Sequence, residues 1–493
     1  MKEYDLAIVF DCGAINLRVI AINTKGEIEA SEAVSNSISE DPFYPGGKIW
    51  DVEELWVKFC DLSRKVLSQI DENRVVGVTV TTFGVDGTFI SKSGEMLYPV
   101  ISWQCPRTQP IMQSINKYFP LERLYEISGV FPYAFNTINK VLWFKENRPD
   151  VLDKAEHFLF MPSLFLLKLG GCKINDATMM GTSMMADLQS RGFSEEIISS
   201  LGLSPSLFGK IGEPGDKVGK ISGSAANLTG LPEGIPLFLT GHDTQFAIFG
   251  SGADLNQPVL SSGTWEILMV RSDHFTASPV ELKEGITTEA DAEPGIFTIG
   301  QNWMGSGVLE WFTRHLYPGL NGDMLYETLI SEAEMVGPGE HGLTIDPSFF
   351  KDGAVKGGCI YGLTIHTTRG QLARAVLESL AFRLREGLEK LQTAGRFRAE
   401  QIFCVGGGSK NRLWNQLRAD VCNVPVALID QKETTVLGAA LFVFTGAGCY
   451  SNVCEARERI PYHPQVIEPS VNTKIYNRLY HEYICLKEKL STS

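Results

Sequence analysis

A small motif that occurs twice constrains this chain more than anything else in it: an apolar β-run, a turn of small residues, and a second β-run. Leu6 to Phe10 leads into Asp11-Cys12-Gly13-Ala14-Ile15-Asn16 and returns as Leu17 to Ile22, which alternates as a strand does. Pro258-Val259-Leu260 leads likewise into Ser261-Ser262-Gly263-Thr264 and returns as Trp265 to Val270. No close sequence repeat accompanies the echo, yet it predicts two similarly built halves. A length of 493 residues, too great for one core, asks for the same thing. The boundary is expected where Gly250-Ser251-Gly252 loosens the chain, giving domains 1–248 and 249–493.

Strands and helices intermingle between these hairpins, which marks the α/β class. Val75 to Thr82 reads as a buried strand that ends in the turn Phe83-Gly84-Val85-Asp86-Gly87, and Val52 to Ile70 and Ile138 to Glu146 read as helices. In the second half Leu377, Leu380, Leu384, Leu388 and Leu391 form a helical stripe. Gln401 to Val405 is then a strand, followed by Gly406-Gly407-Gly408-Ser409-Lys410-Asn411 and a helix with Leu413, Leu417 and Val421 on one face.

Charge and cysteine usage exclude several classes of function. A net charge of −14 argues against nucleic acid or an anionic membrane as partner, since both need a concentrated basic face. The longest apolar run, Phe158 to Leu167, contains Pro162 and is too short to span a bilayer. Met1 to Asp5 carries acids and runs straight into a strand, which is unlike a secretory leader. The 10 cysteines are scattered without zinc-type spacing, so reduced thiols and a cytoplasmic location are expected. There is no repeat period and no basic or proline-rich surface to suggest a peptide-binding role, and a homo-oligomer stays open.

The chemistry centres on Leu239-Thr240-Gly241-His242-Asp243-Thr244-Gln245, which puts Asp243 where a strand gives way to a helix. A carboxylate there can act as a general base, or can simply cap the helix by accepting a backbone N–H. The helix dipole is expected to keep it ionised and to limit its strength as a base. Asp11 to Asn16, Ser261 to Thr264 and Gly406 to Asn411 are small-residue turns of the kind that approach phosphates, although each alone is also an ordinary turn. Asp11 among phosphates would need a cation, and Mg²⁺ held through water is the natural one; otherwise Asp11 only steadies its own turn. No Walker-type G-x-x-x-x-G-K-[ST] loop, H-R-D and D-F-G set or G-x-S-x-G elbow is present, so a phosphotransferase here uses another scaffold.

Two long patterns carry a family likeness. They are Phe135-Asn136-Thr137-Ile138-Asn139-Lys140-Val141-Leu142-Trp143-Phe144-Lys145-Glu146-Asn147, and the run from Gly358-Cys359-Ile360-Tyr361-Gly362-Leu363 through Gln371-Leu372 to Ala375-Val376-Leu377-Glu378. With them the chain resembles the FGGY carbohydrate kinases over essentially its whole length. Phe10 to Ala14, Thr81 to Gly87, Ile101 to Thr108, Gly241 to Phe246 and Leu260 to Arg271 are similar to the corresponding stretches of bacterial family members that act on L-fuculose.

The resemblance implies two actin-like (ribonuclease-H-like) α/β domains with a catalytic cleft between them. It also implies ATP-dependent phosphorylation of a ketose at its primary hydroxyl, L-fuculose giving L-fuculose 1-phosphate. A rhamnulose or pentulose kinase is the near alternative, and an actin-like nucleotide switch that phosphorylates no sugar the distant one. Carried over by position, Asp243 is the base, His242 and Thr244 flank the sugar, and Gly84, Asp86 and Asn302 complete its pocket, with Arg107 as a further contact. Gly13, Ala14, Asn16 and Thr264 would hold phosphates, Gly407 and Gly408 would approach the nucleotide with Glu310 near it, and Asp11 would serve Mg²⁺. Ile15 departs from the hydroxyl residue more usual in the first turn, which removes a side-chain contact there and leaves the backbone ones. Lys140 and Trp143 are expected to pack rather than bind.

Overall fold

A computed structural model of the chain describes residues 5–349, 357–430 and 433–492; Met1 to Tyr4, on which the expectation about a leader rests, lie outside them. The described residues of Met1–Gly252, Ser272–Ile299 and Glu433–Pro461 form one compact unit, and those of Ala253–Arg271, Gly300–Lys432 and Tyr462–Ser493 a second. This contact-based division is not a single cut at 248/249, because two later stretches, Ser272–Ile299 and Glu433–Pro461, return to the first unit.

Among the described residues the main sheet of the first unit has six strands, in the order Lys217–Lys220, Pro236–Phe238, Val75–Thr82, Leu6–Cys12, Asn16–Asn23 and Ile28–Ser35. Leu6–Cys12 is buried along its whole length, as a strand covered on both faces must be. It pairs antiparallel with Asn16–Asn23, with Asp11 opposite Arg18, and parallel with Val75–Thr82. Pro236–Phe238 runs parallel along the far side of Val75–Thr82. Three parallel strands thus end at one edge of the sheet, where open α/β sheets place their ligands.

The apolar run around Pro162 divides into the strand His157–Phe160 and the helix Met161–Leu169. Proline lies in the first turn of that helix, where its missing N–H is one the helix could not have used. Among the described residues no helix is long and apolar enough to cross a membrane, and all 10 cysteines are free thiols.

Beyond Pro236–Phe238 the chain enters the helix Asp243–Gly250, which lies against the helix Thr434–Gly446. A Cβ on Gly438 would overlap the Phe246 carbonyl oxygen, and one on Gly250 would overlap the Thr434 carbonyl oxygen, so the two backbones touch where they cross. Phe442 closes the crossing, with ring centroids 5.5 Å from Phe246 and 5.1 Å from Phe249.

In the second unit the hairpin Val259–Ser262 and Trp265–Ser272 pairs Ser262 with Glu266 across its turn. Ile402–Val405 runs parallel beside Val259–Ser262, followed by Val426–Leu428 and Gln465–Ile467. The leucine stripe is the buried side of a 27-residue helix, Arg369–Gly395. A reciprocal capping box of Thr368 and Gln371 starts that helix.

The crossing of Asp243–Gly250 and Thr434–Gly446 leads to one expectation. In an open helix, replacing Gly438 by Ala would stabilise by about 1 kcal/mol through propensity alone. Here the methyl meets a carbonyl, and overpacking of this kind costs roughly 1–3 kcal/mol. Gly438→Ala is therefore expected to lower the thermal midpoint by several degrees, and a melt at or above the wild-type midpoint would contradict the close crossing.

Candidate active site

A ladder of threonines holds Gly241 and His242 against the end of Val75–Thr82. The Thr79 hydroxyl donates to the Phe238 carbonyl at 2.8 Å, that of Thr240 to Val80 O at 2.8 Å, and that of Thr81 to Gly241 O at 2.9 Å. Thr82 N–H reaches the same Gly241 oxygen at 3.0 Å. From the other side Thr178 Oγ1 accepts the His242 N–H at 2.9 Å. Asp176, which caps the helix Ala177–Gly181, lies where any Cβ on Gly241 would have to go. The stretch is clamped from both sides before its side chains do anything.

Asp243 does not cap its helix. The N-cap is His242, which makes no side-chain capping bond, and Asp243 is the first helical residue. Its Oδ1 instead accepts the Thr244 hydroxyl at 3.2 Å. His242, Asp243 and Thr244 remain partly exposed while Gln245 and Phe246 are buried, so the sequence break between surface and core falls after Thr244. Burial raises the proton affinity of the Asp243 carboxyl above the usual carboxylate range, and the opposing pulls of His242, Thr244 and Arg18 do not cancel it. Burial is the largest influence on this carboxyl, opposite in sign to the effect expected of the helix dipole.

At the neighbouring strand end Asp11 is also pushed up, to about 6, by burial first and then by the charges of Asp243 and Glu433 against the pull of Arg18. Arg18 Nε donates to Asp11 Oδ2 at 2.8 Å, a second nitrogen meets the same oxygen, and a third meets Glu433. The arginine thus addresses one Asp11 oxygen and leaves Oδ1 to other partners. Among the described residues no group of three or more His, Cys, Asp and Glu is gathered as a metal cage. A single hard carboxylate oxygen suits Mg²⁺, which keeps most of its waters and takes one or two carboxylates.

At the turn after Val75–Thr82, a Cβ on Gly84 would stand 3.0 Å from His242 Nε2, so glycine gives the ring its room. Asp86 is fully buried and receives Trp50 Nε1–H at 2.6 Å, Trp103 N–H at 3.0 Å and the Lys140 ammonium. Burial pushes the Asp86 carboxyl up and the Lys140 ammonium down, and their contact resists both. The Arg107 side chain, fully covered, lies between the rings of Tyr44 and Trp143 at 4.5 and 4.7 Å and donates to Asp41 at 2.6 Å. Asp86 and Arg107, expected beside the sugar, are both buried in ion pairs, with Lys140 and Asp41. Lys140, expected to pack, is buried as the counter-charge of Asp86.

The turns expected to hold phosphates divide between the units. In the first, Gly13 N–H closes onto Asn16 O at 2.9 Å, so it is spent within the turn and Ile15 and Asn16 form the exposed tip. In the second, Thr264 is exposed at its hairpin, and its carbonyl accepts Gly305 N–H at 2.9 Å. A Cβ on Gly407 would meet nothing within 4 Å, whereas one on Gly408 would strike the Ser262 hydroxyl, so glycine at 408 is required by packing. Ser262 in turn bonds Glu266 at 3.0 Å, and Glu266 pairs with the buried Arg418. Asn302 is partly buried on Phe297–Met304, and Glu310 is exposed on the helix Ser306–Leu316. Reading the sequence missed Arg18, Glu433, Glu289 and Arg418. Of these only Arg18 had a local signal, its place opposite Asp11 across a hairpin.

Comparison with known proteins adds the following. The model of the FGGY family of carbohydrate kinases, N-terminal domain, matches residues 6–250, and that of its C-terminal domain matches 259–447. An L-fuculokinase of Escherichia coli (strain K12) is 41% identical over 469 residues, covering 95% of this chain and 98% of that protein. An L-fuculokinase of Haemophilus influenzae is 43% identical over 460 residues, covering 92% and 97%. The crystal structure of xylulose kinase from Rhodospirillum rubrum, 21% identical, superposes with a TM-score of 0.89 over 99% of both chains and shares the fold. On the family matches and on identity of this extent, the chain belongs to the FGGY family of carbohydrate kinases.

Proposed function

We propose that the protein phosphorylates L-fuculose with ATP at the primary hydroxyl, yielding L-fuculose 1-phosphate and ADP. The observation that carries this reading is Asp243: a partly exposed carboxylate, clamped at a strand end and of raised proton affinity, with His242 and Thr244 beside it. The choice of sugar draws support from the two L-fuculokinases, each alike over nearly the whole chain.

Asp243 accepts the proton of the sugar hydroxyl as its oxygen bonds the γ-phosphorus and the bond to the ADP oxygen breaks. His242 and Thr244 flank the sugar, Gly84 leaves it space, and Asn302 is a further contact. Ala14, Asn16 and Thr264 serve the phosphates and Gly407 the nucleotide, with Glu310 near it. Gly13 and Gly408 shape their turns. Asp11 would hold Mg²⁺ through water, and that ion supplies neutralisation of the phosphate charge. Rhamnulose and pentulose kinases would need the same groups, since such sugars differ only in where a few hydroxyls lie.

Three outcomes test the reading. Asp243→Asn is expected to retain ATP and sugar binding by calorimetry while kcat falls by roughly 10²–10⁴, the usual worth of a general base; wild-type turnover would refute the assignment. Asp243 works ionised and its pKa is raised, so kcat/KM should fall with decreasing pH through an acid limb above the ordinary carboxylate range. A limb inside that range would count against it. With a panel of L-fuculose, L-rhamnulose and pentuloses, coupled ADP detection is expected to show stimulation by L-fuculose about tenfold or more above the others. ADP release indifferent to sugar would favour a nucleotide switch.

A further inference from the structure

Behind His242 runs a line of polar groups that the transfer step leaves unused. His242 Nδ1 lies 3.4 Å from Glu289 Oε2. The same oxygen accepts Gln245 Nε2–H at 2.9 Å, and Gln245 Oε1 accepts the Thr298 hydroxyl at 2.6 Å. Gln245 and Thr298 are fully buried. The Thr298 hydroxyl also lies 3.2 Å from Asp291 Oδ2, so the carboxylate sets the amide: Glu289 needs the Gln245 nitrogen, not its oxygen, against it, which holds both side chains. The backbone under Glu289 is held as well. It belongs to the strand Thr287–Ala290, and a Cβ on Gly181 would stand 2.8 Å from that of Ala290.

The consequence falls on the other edge of the ring. With Nδ1 beside a carboxylate, turning the imidazole over would bring a C–H against Glu289, which the charge disfavours. Nε2 is therefore kept on the side of Gly84 and Asp243, 3.6 Å from Asp243 Oδ1.

We propose that Glu289, steadied by Gln245 and Thr298, is a positioning residue for sugar binding: it fixes the His242 ring with Nδ1–H toward itself and Nε2 toward a ketose hydroxyl, from which Nε2 accepts in the neutral ring and to which it donates in the imidazolium. The inference rests on His242 being a sugar-side residue, as in the proposed function. Three charged groups face His242: Glu289 from its strand, Asp243 from the ring's own helix, and Asp176 from the cap of Ala177–Gly181. Burial alone lowers the proton affinity of the ring, and these three together outweigh it, so the net change is upward and Nε2 is a donor over a wider pH range.

The test uses the full chain labelled with ¹⁵N-histidine, the His242 signals being assigned by their loss in His242→Asn. Glu289→Gln keeps the volume and removes the charge. It is expected to lower the His242 titration midpoint and to raise the KM for L-fuculose roughly tenfold or more, through the loss of the charge 3.4 Å from the ring, with the KM for ATP unchanged. Thr298→Val, which leaves the charge and frees the Gln245 amide, is expected to raise the same KM by a smaller factor, and it carries the test if Glu289→Gln does not fold. A midpoint that does not move, or sugar and ATP constants that rise together, would overturn the inference while leaving the kinase reading intact. A midpoint that falls in a protein that no ketose stimulates would support the placement of the ring and sink the kinase reading.

Discussion

Where the helix Asp243–Gly250 crosses Thr434–Gly446, Gly250 and Gly438 leave no side chain between two backbones. Much of the first unit follows from that approach. One helix begins with Asp243, and Glu433 stands at the head of the other, where it meets Arg18. A residue larger than glycine at either point would part the helices and move both acids relative to the strand that carries Asp11. Catalytic geometry tolerates little of this, since a displacement of about 1 Å can cost on the order of a hundredfold in rate. The crossing is also why a stretch near the end of the chain belongs with its beginning.

Charge at these strand ends is out of balance in one direction. Arg18 touches Asp11 and Glu433 and draws Asp243 down, yet one guanidinium does not offset three carboxylates in a partly dehydrated place. Burial is the first cause of the raised proton affinity on Asp11 and Asp243, and at Asp11 the charges of Asp243 and Glu433 add to it, an effect of the sign that a hydrated divalent cation relieves. Behind the turns the balance is kept: Asp86 has Lys140, Asp41 has Arg107, and Glu266 has Arg418. Buried pairs like these contribute little net stability, but each makes one arrangement of its neighbours far better than the rest.

What could be read from the sequence was local. Hairpin tips, the strand-to-helix position of Asp243 and the stripe from Leu377 to Leu391 depend on residues within a few positions of each other, and periodicity reports those. What could not be read depends on contacts that periodicity does not encode. Glu433 lies 415 residues from Arg18, Lys140 lies 54 from Asp86, and Glu289 lies 44 from Gln245. Gly407 and Gly408 are alike in sequence, and only the Ser262 hydroxyl, which a Cβ on Gly408 would strike, gives one of them a packing constraint that the other lacks. Asp86 and Arg107 were polar residues in turns and so looked available, whereas each is covered by its own ion pair.

Asp243 shows how the two kinds of information combine. Its place at a helix start argues for a weak base, and its surroundings argue the opposite, with burial as the larger effect. In the proposed reaction the two jobs of the residue would be served by different parts of the fold. In a loose transition state the hydroxyl proton leaves late, so early in that reaction the carboxylate would mainly aim the nucleophile. That aim is set by the backbone clamp of Thr81, Thr82 and Thr178 on Gly241 and His242, which does not depend on protonation. Late in the reaction the proton must go somewhere, and there the raised affinity matters. A change that loosens the clamp should therefore spoil alignment at every pH, whereas one that only rehydrates the carboxylate should shift the acid limb and leave the plateau largely intact.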